Sequence, residues 1–447
     1  MTGLLLLVAT LLLPLAAAGM SVRLRAAQAL RMSTVVALVL VAAATLAVVD
    51  ATVPLVGLRA LEMTRIAQLG IQLEALAMLG LVMGLHRAPP DTVTRWLPVA
   101  WTSMAGLSAA LLVNSLPIGL IAFVAAALLW AFGLPEGERG AAMGAVLRYA
   151  ALLALVIPLL LSAYRLAELR PAAVDKGDLE HLVLALVVPA FALLLGLIPM
   201  HAWVLTLASG APRTMLFGVL TLVQTAGFAL LLRTLEDLKW LTATATAPLV
   251  FGGAVSACLG AWLALSARIE DPDDWLVYAI VANSGMLIVG LGTQSRAAAL
   301  GVVLMLFARV LALVLLGVGR RVTGMLQRAA SAVALLTLAG TPGLAGFPGL
   351  WRILQKLAGE AGGTAVQVPF GTPAHLALLS ASALLFATAV RRWDAPLEAT
   401  GVPEGRDVGG ERAVIVLIVL IVALGIAPQF VSGAFGRALA DMFFQAD

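Results

Sequence analysis

The sequence predicts an all-α integral membrane protein with about 14 transmembrane helices, two of them discontinuous and set in inverted-repeat halves. Three observations carry this reading. Of 447 residues, 62% are hydrophobic and 12% charged, and the mean hydropathy is +1.04; soluble domains run at roughly 45–50% apolar and about 25% charged. Apolar runs of roughly 20 residues, the length that crosses a bilayer, recur from end to end. Two of these runs hold proline and glycine at membrane depth: Pro199 and Pro212 within 193–233, and Gly340, Pro342, Gly343 and Gly346 within GTPGLAGFPGL.

The runs are bounded by charges or turn residues. The first, near 3–19, ends in small residues that resemble a cleavage site. It lacks a positive leading segment and its arginines follow it, so it reads as a retained helix. The second, at 31–50, ends on Asp50, which belongs at the interface. Runs follow at 67–86, 96–113, 115–133 and 142–164. The run at 180–204 enters the first interruption and 212–233 leaves it. The second half gives 247–267, 274–293, 297–318, 327–357, 374–390 and 413–431. The stretch 327–357 is too long for one straight helix and contains the second interruption. Glu270, Asp271, Asp273 and Asp274 read as a solvated loop and helix start, where acids suit the positive dipole end, rather than as a cation site. No polar stretch is long enough for a soluble domain. The chain therefore reads as one polytopic domain, 1–447, with 96–233 and 247–391 as pseudo-symmetric halves.

Charge gives topology rather than a partner. The sequence pI is about 9.7, but the basic residues are spread through short loops without interleaved aromatics, which excludes a nucleic-acid surface. Sixteen lysines and arginines fall in odd-numbered loops and eleven in even loops and the C-terminal segment, with Arg309 inside a span. Basic residues stay on the cytoplasmic side, so both termini are expected outside. Cys258 stands alone, and His86, His181, His201 and His375 show no ligand spacing. No metal or cofactor is implied, and no catalytic constellation is visible.

Each interruption has a physical consequence. Proline removes a backbone donor and clashes with the preceding turn. Lipid cannot satisfy the freed groups, so a break survives only against other helices or a wet cavity. Paired breaks in two halves point to a transporter's working site; two proline-kinked structural helices are the plainer alternative.

The motifs around the breaks resemble a known family. Pro199-Met200-His201-Ala202-Trp203 followed by Gly210-Ala211-Pro212 is similar to the P-x-H-x-W…APT signature of antiporter-like subunits. These are the proton-channel subunits of respiratory complex I, with relatives in Mrp antiporters and membrane-bound hydrogenases. Ala339–Phe347 resembles the family's AGIPPxAGF segment, and Tyr278–Leu291 its YSSIxHxGxxLLGL helix. Asn114–Trp130, Arg148-Tyr149 and the Ala427-Pro428 ending follow in the family's order.

The resemblance implies proton movement along buried ionisable side chains, because an intramembrane wire needs groups that gain and lose charge. The family places a glutamate on the fifth helix, lysines on the seventh and eighth, a histidine near the tenth-helix motif and a lysine or glutamate on the twelfth. Aligned on these motifs, the positions fall on Val124, Leu194, Gln224, Asn283 or its neighbour, and Leu350. None of these side chains carries a proton on and off. The resemblance thus implies a kept scaffold with its usual wire replaced.

Few ionisable groups remain within the runs. A buried charge needs a partner, so Glu74 and Arg309 are candidates to pair with each other or with another subunit. The plainer reading faces Glu74 outward to a polar subunit contact and lets Arg309 snorkel or bind lipid headgroups. His201 is read first as a donor to carbonyls freed at the break. Glu74, His201, Arg309, Arg352 and Lys356 are the transport candidates if a path has been rebuilt. Three functions follow: a scaffold or coupling subunit in a complex-I-related assembly, an active translocator with a rebuilt path, or a membrane partner in carbon uptake or hydrogenase assembly. An isolated small-solute transporter fits less well, because the motifs point to an assembly. The partners implied are other membrane subunits and lipids, in a prokaryotic inner membrane.

Overall fold

The computed structural model describes residues 2–46, 52–54, 60–86, 88–133, 139–172, 176–268, 274–359, 370–393 and 407–438. Helices α1 (Thr2–Arg23) and α2 (Ala26–Leu46) precede a short antiparallel hairpin, β1 (Thr52–Pro54) and β2 (Ala60–Glu62). Then come α3 (Arg65–Leu85), α4 (Pro90–Leu112), α5 (Leu116–Leu128), α6 (Arg139–Glu168), α7 (Lys176–Leu195), α8 (Ala202–Gly210), α9 (Arg213–Gly218) and α10 (Gln224–Asp237). The chain continues with α11 (Thr242–Ser266), α12 (Asp274–Gly292), α13 (Arg296–Gly319), α14 (Met325–Leu338), α15 (Phe347–Leu357), α16 (Gly371–Arg391), α17 (Val408–Ile426) and α18 (Gln429–Ala438).

Among the described residues, 11 helical segments are long and apolar enough to cross a membrane. The chain is a multi-pass membrane protein. The runs at 3–19, 96–113 and 327–357 are not among the eleven. Leu7–Arg23 and Met325–Leu338 are shorter apolar helices, and α4 opens on the polar residues Asp91, Thr92, Thr94 and Arg95. Asp50 and residues 270–273 lie outside the described residues, while Asp274 opens α12.

Local chemistry sets the helix starts. Thr64 Oγ1 accepts from the Ala67 N–H at 3.1 Å, Ser295 Oγ from Ala298 at 3.4 Å, and Asp407 Oδ1 from Gly410 at 2.9 Å. Each takes up an amide that the first helical turn leaves without a partner.

The chain divides into two compact units. The first comprises Met1–Tyr164 and Thr206–Thr234. Three of its aromatic polar tips are spoken for: Trp101 Nε1 donates to Ser33 Oγ at 2.9 Å, Trp130 Nε1 to Ser103 Oγ at 3.0 Å, and the Tyr149 hydroxyl to the Ala127 carbonyl at 3.0 Å. The hairpin docks on the α4–α5 turn, where the Asn114 N–H donates to the Ala60 carbonyl at 2.9 Å.

The second unit comprises Arg165–Leu205 and Leu235–Asp447. Its tightest seam joins α11 to α12. A Cβ on Gly285 would lie 2.4 Å from Ala257 N and 2.6 Å from the Gly253 carbonyl oxygen. Membrane helices lack a hydrophobic drive to associate and gain by close packing of small residues. Gly285→Ala is therefore expected to push the pair apart at a cost of about 1–3 kcal/mol, read as a lower unfolding temperature of the full chain in lipid nanodiscs. Helices α12 and α13 are almost wholly buried, whereas α16 and α17 turn Leu376, Phe386, Val416 and Val419 outward.

Candidate functional site

The two interruptions organise the second unit. Helical bonding in α7 stops at Leu195 and resumes at Ala202; Gly196, at φ +65°, turns the chain. The Leu193 carbonyl takes the Trp203 indole N–H at 2.8 Å. Ser256 Oγ, from α11, accepts from the Ile198 N–H at 3.1 Å and donates to its carbonyl at 3.4 Å. His201 is half-buried, its ring centroid 6.0 Å from that of Tyr278.

At the second interruption α14 stops at Leu338 and α15 begins at Phe347. Gly340 and Gly343 sit at φ +71° and +84°, the left-handed region that costs a side chain most and glycine least. Asn283 Nδ2 donates to the Leu338 carbonyl at 2.9 Å, and Ser382 Oγ to the Ala339 carbonyl at 2.7 Å. Gly346 leaves no room, since a Cβ there would stand 2.0 Å from the Thr337 carbonyl oxygen. Freed backbone groups at both sites are thus taken up by neutral donors and acceptors, as the bilayer interior requires. Removing Ser256 Oγ leaves the half-buried Ile198 amide without its bond; Ser256→Ala is expected to cost about 1 kcal/mol, measurable by thermal unfolding.

The positions that the sequence aligns with a proton wire are buried. Val124 on α5, Leu194 on α7 and Leu350 on α15 are each no more than 2% exposed. Leu350 packs against Gly340, where a Cβ would meet Leu350 Cδ2 at 2.6 Å. Gln224 and Asn283 are 1% exposed. The Asn283 amide serves the second interruption directly.

Two expectations about the remaining charges need correcting. Glu74 does not face outward: it is 0% exposed, and its Oε2 accepts from Ser108 Oγ of α4 at 3.0 Å. Arg309 does not snorkel: it is 1% exposed, and its Nη1 donates to Ser284 Oγ of α12 at 2.8 Å. Both sit mid-helix on faces that pack inward, so neither side chain is long enough to reach the surface. Arg352 and Lys356 are half-buried on α15, beyond the second interruption. Among the described residues no cluster of three His, Cys, Asp or Glu side chains could hold a metal ion.

No family profile matches the chain. Over 224 residues it is 29% identical to NADH-quinone oxidoreductase subunit N 2 of Herpetosiphon aurantiacus, covering 42% of this chain and 40% of that relative's length. The fold is similar to a chain of respiratory complex I from Thermus thermophilus, at TM-score 0.74 and 20% identity, covering 97% of this chain and 98% of that one. It is similar to a chain of the Mrp complex from Dietzia sp. DQ12-45-1b, at TM-score 0.70 and 15% identity, over 98% of both. A chain of an archaeal membrane-bound sulfane sulfur reductase gives TM-score 0.73 and 16% identity, again over 98% of both. The chain shares the fold of one chain in each of these membrane complexes.

Three features of the chain escaped the sequence reading. Arg233, counted there as a loop residue, is 7% exposed and donates to the carbonyls of Ala110 at 3.2 Å, Leu111 at 3.0 Å and Val113 at 2.5 Å. Arg391 and Arg392 do the same for α11: Arg391 bonds the Leu265 carbonyl, and Arg392 those of Ala267 at 3.2 Å and Arg268 at 2.7 Å. A π-helical turn, Val219–Val223, precedes Gln224; such turns cluster at functional positions. The only sequence signal for the clamps is an arginine at or just past the end of an apolar run, four runs after the one it caps.

Proposed function

We propose that the chain is a membrane subunit of a complex-I-related redox or ion-translocating assembly in a prokaryotic plasma membrane. It keeps the antiporter-like scaffold of fourteen helices with two discontinuous ones. Its role is to hold or couple its neighbours rather than to pump through its own centre. The burial of Val124, Leu194 and Leu350 carries this reading: apolar side chains stand where the resemblance implies a carboxylate and lysines, and they cannot titrate. The neutral partners of both interruptions support it further, because those backbone groups need no water chain to satisfy them.

The reading of 96–233 and 247–391 as repeated halves has independent support. In each, an arginine near the end of the last helix caps a C-terminal carbonyl of the first, Arg233 on α4 and Arg391 on α11. The outward apolar faces of α16 and α17 suit lipid and neighbouring subunits, and the loop charges favour termini outside the cytoplasm.

A rebuilt path through Glu74, His201 and Arg309 is the competing reading, favoured by the burial of Glu74 and Arg309. One experiment separates the two. The assembly carrying Glu74→Gln, His201→Asn and Arg309→Gln together is reconstituted in liposomes and its proton pumping compared with wild type at equal turnover. Unchanged pumping is expected. Loss of pumping from any one substitution in an assembled complex would overturn the scaffold reading.

A further inference from the structure

The carboxyl of Glu74 stands apart from every other acid described. It is wholly buried at the middle of α3, and it accepts one hydrogen bond, from Ser108. Its second oxygen, Oε1, is buried with no partner at all. A lone buried carboxylate is costly unless it is paired or neutralised.

Among the described residues of the first unit, no cation does the neutralising. Helix α3 packs against α2, α4, α9 and the π-helical turn. The Gly70 face, one turn before Glu74, touches Leu111 of α4 and Ala229 of α10. Charged residues on those elements are Arg31 on α2, Asp91 and Arg95 on α4, Arg213 on α9, and Arg233, Glu236 and Asp237 on α10, with Arg65 on α3 itself. Arg95 lies 13 residues before Ser108 on α4, about 20 Å away along a helix. Arg233 directs its guanidinium at the carbonyls of Ala110, Leu111 and Val113. The elements packed on α3 carry buried hydroxyls and amides instead: Ser108 of α4, bonded to Glu74 itself, Thr221 of the π-helical turn, and Gln224 and Thr225 of α10.

We propose that Glu74 and Ser108 form a single-proton site within the first unit. Glu74 holds the proton on Oε1, and the Ser108 hydroxyl donates to Oε2. The site lies on α3, not at the fifth-helix position where the resemblance implies a carboxylate and this chain has Val124. A proton is the cation that fits, because among the described residues no group of three His, Cys, Asp or Glu side chains could hold a metal ion. The site stores a proton without conducting it, so it goes beyond the scaffold reading and stands or falls separately from it.

Infrared difference spectroscopy on the full chain in lipid nanodiscs tests this, comparing wild type with Glu74→Gln at neutral pH. The expected difference is the loss of one protonated-carboxyl C=O stretch, which shifts in deuterium oxide. Loss of carboxylate stretches instead would overturn the proposal, and so would carboxylate bands that move when sodium replaces choline as the buffer cation. Should Glu74→Gln fail to accumulate, Ser108→Ala gives the second reading. The protonated C=O band should then move to higher frequency as its hydrogen bond is lost, and an unmoved band counts against the site. The scaffold reading survives either result, because it rests on Val124, Leu194 and Leu350.

Discussion

Replacing Arg233 with methionine is expected to cost on the order of 3 kcal/mol or more, and to be the most damaging single change in the first unit. Methionine keeps most of the volume but donates nothing. Three carbonyls at the end of α4 lose their partner together, and a buried acceptor left without a bond costs about 1–3 kcal/mol. Those carbonyls belong to Ala110, Leu111 and Val113, beside the turn on which the hairpin docks. The loss should therefore loosen both α4 and the Ala60–Asn114 contact. Arg233→Lys is expected to fall between, since an ammonium is a point charge that cannot fan across three acceptors as a planar guanidinium does. Thermal unfolding of the full chain in nanodiscs reads both, and equal stability of Arg233→Met and wild type would contradict the clamp. Arg392→Met should repeat the effect on α11, and the two losses should add, because the clamps share no partner.

The second large effect concerns the positions where a wire would run. Leu350→Lys restores the residue type that the resemblance implies on the twelfth helix, yet it should not restore conduction. Leu350 packs on Gly340 and is 2% exposed. The oxygen atoms nearest the interruption, on Leu338 and Ala339, already accept from Asn283 and Ser382. A charged side chain at membrane depth costs about 2.5–3.5 kcal/mol on insertion scales. The expected outcome is lower accumulation in membranes and unchanged pumping by whatever complex assembles. Increased pumping by Leu350→Lys would mean that hydrated neighbours wait for a missing carrier.

What the sequence made legible follows from what local chemistry can encode. Membrane helices announce themselves through long apolar runs, and the interruptions through Pro199, Pro212, Gly340 and Gly343, because proline and glycine act on their own backbone. Side-chain partners at those interruptions were out of reach. Asn283 stands 55 residues from Leu338, and Ser256 stands 58 from Ile198; only packing brings them together. Arg233 and Arg392 misled in a particular way, since an arginine ending an apolar run reads as a loop residue unless a carbonyl fan is known to await it. Glu74 and Arg309 misled for a related reason. A lone charge in an apolar run has no periodic signal for its side of the helix when every side is apolar. The π-helical turn at Val219–Val223 has no sequence signature in VLTLV, whose composition suits an ordinary helix equally well.

The central claim is that the antiporter-like scaffold survives here without its wire. A high-resolution density map of the native assembly, inspected for ordered water around Val124, Leu194, Gln224 and Leu350, tests it most directly. Dry, close-packed side chains are expected at Val124, Leu194 and Leu350, with any water confined to the interruptions and the Glu74–Ser108 pair. A continuous file of water joining Glu74, His201 or Arg309 to either membrane face would contradict the claim.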